Sequence, residues 1–273
     1  MNVETTRKYV YAFTSLNRIL GSEELDKGTY TRITKALAAA KRSVLSYEPK
    51  QAKVFGLSVI RKIGDFRGRS TARVAVLFGL ALALRVGELL DIRIDQITWE
   101  LVGGEFVVCL KLNTRKNKRY TSYEKLACVV PGCSAELECP SMHCCPAHLL
   151  WSLKKLRELN ARGSERLFDA LGRDGLVIKL KSLLITVGEL GLVGVSGYSI
   201  RRSSLQALFG LSVPEFMVHE RAGWVWKDSQ INRYLKESAR ALLLYSARWL
   251  IGTEGVADSL NRLGLAREGF LAA

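Results

Sequence analysis

In the stretch GYSIRRSSLQALFG (197–210), Arg201, Leu205 and Leu208 fall at i, i+4 and i+7, the spacing of the buried stripe of an amphipathic helix. An unpaired charge taken out of water costs on the order of several kcal/mol, so a permanent cation on that stripe demands an anionic partner, either a carboxylate or a bound ligand. A second arginine, Arg85, precedes Glu88 by three positions at the end of an apolar run, so the two share a helix face and can form an internal ion pair. Lys116 and Lys118 cluster in the polar run NTRKNKRYTS (113–122), where a solvated turn is the plain reading. Trp224 and Tyr234 lie in RAGWVWKDSQINRYLKES (221–238), where a buried aromatic side chain is ordinarily core. Finally, CVVPGCSAELECPSMHCCPAH supplies Cys128, Cys133, Cys139, His143, Cys144, Cys145 and His148, enough ligands for a tetrahedral zinc. The spacing is not a clean pair of C-x-x-C, and free thiols in an ordinary loop are the favoured reading, with structural zinc the alternative.

These residues sit in a chain of 273 residues with 48% hydrophobic content, ample for a globular core. The balance of 41 Lys and Arg against 26 Asp and Glu leaves a formal charge of +15, which favours a polyanionic partner such as nucleic acid or an anionic membrane surface. The longest apolar run, VAVLFGLALAL (74–84), has eleven residues, whereas a bilayer crossing needs about twenty, so it reads as a buried core helix. The N-terminus MNVETTRKYVYAF lacks the uninterrupted apolar stretch of a secretory signal, which implies an intracellular protein whose cysteines are thiols or ligands rather than disulfides.

The elements that must position the chemistry follow from the same pattern. A helix is expected over 31–45, a linker over 46–53, helical pattern again from Leu57, and a Gly-rich basic break over 65–70. The buried helix starts near Thr71 and carries RVGELLDIRIDQI (85–97) at its end. ITWEL (97–101) and EFVVCLKL (105–112), separated by Gly103-Gly104, read as two of two or three antiparallel strands with a basic turn. A cysteine-rich loop (128–148) leads into a helix LLWSLKKLRELNARG, and helices fill most of the remainder, with no internal repeat.

Taken in order, Arg-x-x-Glu after an apolar helix, a small sheet with a lysine turn, an aromatic-x-x-Arg helix start, a Gly-Trp and a final Tyr resemble the catalytic domain of the tyrosine recombinase (phage-integrase) family, over roughly residues 50–250. The resemblance implies a fold that is mainly α with a small antiparallel β-sheet (α+β). It implies a short N-terminal helical region over 1–47 as a reduced DNA-clamping domain, a catalytic domain over 48–251 and a C-terminal helical tail over 252–273 that docks on a neighbouring subunit. Arg85 and Arg201 then stand as the two phosphate-binding arginines, Glu88 as the acidic residue after the first, and Lys116 as the hairpin lysine, with Lys111 and Lys118 as alternatives. Tyr198 stands where the family most often has histidine, Trp224 at the His-or-Trp position, and Tyr234 as the nucleophile. Trp224 precedes Tyr234 by ten residues where the family usually shows nine.

The implied activity is site-specific DNA cleavage and rejoining through a 3′-phosphotyrosyl intermediate, carried by a mobile element. Two arginines suit it because attack on a phosphodiester places extra negative charge on oxygens that forked, charge-assisted hydrogen bonds can hold. No cofactor is required, the partner is double-stranded DNA, and self-association on DNA runs from dimer to tetramer, with no membrane involved. Type IB topoisomerase-like nicking and resealing, or a catalytically inactive DNA-binding relative, are the alternatives.

Overall fold

A computed structural model describes residues 52–68, 70–112, 122–136, 138–159, 165–223 and 243–252, together with positions 11, 29, 31–33, 35 and 36. Lys116, Lys118, Trp224 and Tyr234, most of the expected helix over 31–45, and the tail after Gly252 lie outside the described residues. The chain divides into two compact units, residues 1–51 and 52–273. In the first, the described positions are helical. The second carries the site.

Its centre is a helix that is buried on every side. Helix α1 (Leu57–Asp65) is amphipathic and buries Ile60 and Ile63. Helix α2 (Thr71–Ala81), with Ser70 as N-cap accepting from the Arg73 N–H at 3.1 Å, buries Ala72 to Ala81 without a break, as a helix surrounded by other elements must. Those elements are α1, α3 (Val86–Leu90), α4 (Pro146–Glu158), α5 (Arg173–Thr186), α6 (Gly197–Gly210) and α8 (Ser246–Leu250), while α7 (Glu215–Ala222) packs on α6. No helix among the described residues is long and apolar enough to cross a membrane.

The buried helix does not run on to Arg85 as the apolar run suggests. It stops at Ala81, and Ala83 takes a left-handed conformation (φ 50°) so that the Leu84 N–H reaches back to the Gly79 carbonyl at 3.0 Å. An alanine here fills the position that glycine usually holds at a helix C-terminus. The chain then re-enters a helix at Val86, with Arg85 as its N-cap.

A three-stranded antiparallel sheet, in the order β1 (Ile97–Val102), β2 (Glu105–Leu112), β3 (Ser122–Ala127), covers one side. Gly103 and Gly104, both at positive φ (57° and 81°), close the two-residue turn between Val102 and its partner Glu105, a geometry that side-chain-bearing residues resist. Phe106, Val108 and Leu110 of β2 point into the main core, whereas Val107 and Ala127 pack with Leu244 in a separate small cluster. The Ala127 N–H donates to the Leu244 carbonyl at 2.9 Å, so the segment ahead of α8 is tied to β3. Helix α4 begins at Pro146, three residues before the sequence pattern suggests, because proline at the first turn forfeits no hydrogen bond.

Candidate functional site

The turn between α2 and α3 carries Arg85 and Glu88. As N-cap, Arg85 donates its backbone N–H to Glu88 Oε2 at 2.9 Å, and its Nη1 reaches Glu88 Oε1 at 2.6 Å. One carboxylate thus closes the helix start and holds the guanidinium, with side-chain exposures of 23% for Arg85 and 7% for Glu88. The pair exists, but across a helix entry rather than along the face of the long apolar helix.

Helix α6 carries Tyr198 and Arg201. Ser196 and Ser199 cap it reciprocally, the Ser196 N–H donating to Ser199 Oγ at 3.1 Å and the Ser196 side chain accepting from the Tyr198 N–H. Tyr198 is 53% exposed, while Arg201, Leu205 and Leu208 are buried, Arg201 at 1%. The predicted stripe is therefore present, arginine included. Arg201 Nη1 donates to the Ala83 carbonyl at 2.7 Å and Nη2 to the Ala222 carbonyl. Both acceptors lie at helix C-termini, just past α2 and at the last residue of α7. Each such end carries roughly half a negative elementary charge, so two of them face one guanidinium. Main-chain helix ends are a partner that a search for carboxylates or ligands overlooks.

Two close approaches bring these segments together. A Cβ on Gly197 would lie 2.8 Å from Val86 Cγ2 and 3.3 Å from its Cβ, so the start of α6 sits directly on the residue after Arg85. A Cβ on Gly79 would lie 3.0 Å from Ile200 Cγ2, which seats α6 on α2. With the Arg201 to Ala83 bond, the turn bearing Arg85 and Glu88 and the helix start bearing Tyr198 and Arg201 form one constellation. Lys111, the alternative lysine within the described residues, is exposed on β2 opposite Tyr123. Lys116, Trp224 and Tyr234 lie outside the described residues.

Three further buried arginines escape a reading based on motif order. Arg73 donates to the carbonyls of Ile63 and Gly64 at the end of α1 (3.1 and 2.5 Å) and to the His143 carbonyl at 2.7 Å. Arg221 reaches Glu124 at 3.2 Å, Ser246 Oγ at 3.1 Å and the Leu243 carbonyl. Arg248 joins the Cys128 carbonyl and Glu105, both at 2.8 Å. For Arg73 and Arg248 a signal was present, a cation embedded in apolar sequence (TARVAVL, SARWLI), whereas Arg221 in VHERAGW carries none.

Of the cysteine-rich loop, Cys128, Cys139, Cys145 and His148 converge with their ligand atoms all within 4.8 Å of one another. Cys109, on β2, stands apart: burial, with the Glu100 carboxylate beside it, pushes its thiol up to about 11.

No protein-family model and no curated protein matches the chain. Among solved structures it is similar to the XerH site-specific recombinase bound to its difH substrate in a pre-cleavage complex, with a TM-score of 0.44 at 16% identity. The match covers 69% of this chain and 53% of that one, so the chain spans about half the length of that recombinase chain, and the likeness is a distant resemblance.

Proposed function

We propose that the chain cleaves and rejoins DNA strands at specific sites through a 3′-phosphotyrosyl intermediate, in DNA integration or recombination. The observation that supports this best is the convergence of the Arg85 turn and the Arg201 helix start, joined by the Val86–Gly197 approach and the Arg201 to Ala83 bond, in a chain of charge +15. In this reading Arg85 and Arg201 hold the non-bridging oxygens of the scissile phosphate, Glu88 orients Arg85, and Tyr198 donates a hydrogen bond to the phosphate. Tyr234 loses its phenolic proton and attacks phosphorus, the bond to the 5′ oxygen breaks, and Lys116 delivers a proton to that oxygen. Trp224 stands at the His-or-Trp position that the sequence resemblance assigns it. The phosphotyrosine keeps the energy of the broken bond, so a strand hydroxyl reverses the step without a nucleotide cofactor.

A second reading, an inactive DNA-binding relative, is favoured by one observation: Arg201 is 1% exposed and both its Nη atoms already serve main-chain carbonyls. Nicked duplexes of randomised sequence separate the two. An active enzyme leaves a protein–DNA adduct that survives denaturation, and Tyr234→Phe binds the same DNA without forming it. Binding with no adduct from the unaltered chain selects the inactive reading. An adduct from Tyr234→Phe moves the nucleophile to another tyrosine such as Tyr245.

A further inference from the structure

The four converging side chains of the cysteine-rich loop come from separate stretches: Cys128 directly after β3, Cys139 from the loop, and Cys145 and His148 from the start of α4. Cys128 Sγ lies 3.4 Å from Cys139 Sγ and 3.8 Å from Cys145 Sγ, and Cys145 Sγ lies 3.2 Å from His148 Nδ1. A tetrahedral zinc with Zn–S of about 2.3 Å and Zn–N of about 2.0 Å requires S···S edges of about 3.8 Å and S···N edges of about 3.5 Å. These three edges match to within about 0.4 Å, and the remaining three lie within 4.8 Å, so the four atoms surround a common centre.

The surroundings independently favour bound metal. His148 turns Nδ1 toward Cys145 and donates Nε2–H to the Ala135 carbonyl at 2.7 Å, the second bond that fixes tautomer and ring orientation in metal-ligating histidines. Phe106 stacks on the same ring, with centroids 4.3 Å apart. Backbone N–H groups of Val130 and Val129 point at the sulfurs of Cys128 and Cys145 at 3.3 and 3.5 Å, and such donors stabilise thiolate charge. A disulfide does not explain the geometry, since its S–S bond is about 2.05 Å and all six cysteines are free thiols.

We infer that Cys128, Cys139, Cys145 and His148 bind one zinc ion in a closed Cys3His structural site. Four protein ligands fill the coordination sphere and all four are buried (0%, 6%, 0% and 0% exposed), so no position is open to a reacting water. Binding releases three thiol protons to solvent and leaves the centre with one net negative charge, close to the Arg248 guanidinium on the Cys128 carbonyl. The ion would knot the end of β3, the loop and the start of α4, and through Arg248 it would fix α8. Cys133, His143 and Cys144 are not ligands.

The test uses the full chain purified under reducing conditions from zinc-supplemented cells. Elemental analysis should find about one zinc per chain, and cobalt-supplemented growth should give a protein with thiolate-to-cobalt charge-transfer bands and intense tetrahedral visible bands. Cys139→Ser should lose at least about nine-tenths of the metal, while Cys133→Ser and Cys144→Ser keep it. Because ligand variants can fail to fold, the metal content of the unaltered chain decides by itself. Less than about a tenth of a zinc per chain with no cobalt uptake, or a mass two hydrogens short through disulfide formation, overturns the site. Full zinc in Cys139→Ser overturns the ligand set.

Discussion

Replacing Arg201 by methionine keeps much of the side chain's length while removing its charge and its donors. The bonds to the carbonyls of Ala83 and Ala222 are among those lost, and each hydrogen bond from a charged donor contributes about 1.5–3 kcal/mol. Their sum, about 3–6 kcal/mol, is offset by relief from holding a guanidinium out of water, so a net loss of about 3 kcal/mol is expected. Alanine adds a cavity and should be worse by about 2 kcal/mol or more. Lysine restores the charge but cannot reach two divergent carbonyls with one planar fork, and should fall between methionine and the unaltered chain. Urea unfolding followed by tryptophan fluorescence suits the measurement, because Trp249 is 1% exposed in the same core. A methionine variant within about 0.5 kcal/mol of the unaltered chain would refute the helix-end account of the buried charge. Cleavage by the variants, assayed well below their unfolding transitions, should fall by about two orders of magnitude or more if Arg201 also serves the transition state. Normal cleavage by a folded methionine variant would assign Arg201 to the scaffold alone.

Three other outcomes are expected. Gly197→Val should destabilise the chain by about 1–3 kcal/mol through collision with Val86 and depress cleavage, and Val86→Ala in the same chain should recover most of both; additivity in that double variant would dismiss the contact. Iodoacetamide should modify Cys109 slowly at pH 8, where about one thiol in a thousand is ionised, and about tenfold faster for each pH unit up to about 11; a flat profile would show that burial beside Glu100 does not hold the thiol protonated. DNA binding should weaken steeply as salt rises, because each neutralised phosphate releases condensed counterions, and a salt-independent affinity would count against the nucleic-acid reading.

Helix α6 was legible from its stripe, since Arg201, Leu205 and Leu208 recur at i, i+4 and i+7 and all three are buried, whereas its capping by Ser196 is a finding of the structure. The β1–β2 hairpin was legible because Gly103-Gly104 leaves few other choices. The end of α2 was not, since VAVLFGLALAL offers no polar residue or proline where the helix breaks, and Ala83 adopts its left-handed conformation only because neighbouring elements fix the chain there. The inward face of Arg201 was readable from spacing, whereas its acceptors are main-chain carbonyls at the ends of two other helices, one of them 118 positions away, and carry no side-chain signature. The Cys3His convergence was half visible. Cys145-Pro-Ala-His148 has ligand spacing on one helical turn, but the other two ligands stand 17 and 6 positions upstream of Cys145 and meet it only once β3 and α4 are packed.

Arg221, in the last turn of α7, donates to the Leu243 carbonyl, so one guanidinium joins two positions 22 residues apart in sequence. The intervening residues 224–242, which include Trp224 and Tyr234, lie outside the described residues. The entropy of closing a chain segment between two fixed ends depends only weakly on its length: even a doubling costs only about 0.6 kcal/mol. The ten-residue step from Trp224 to Tyr234, where nine is usual in the family the sequence resembles, therefore adds almost nothing to that cost. An insertion or deletion within 224–242 should accordingly leave the bond from Arg221 to Leu243, and the described core on either side of it, in place.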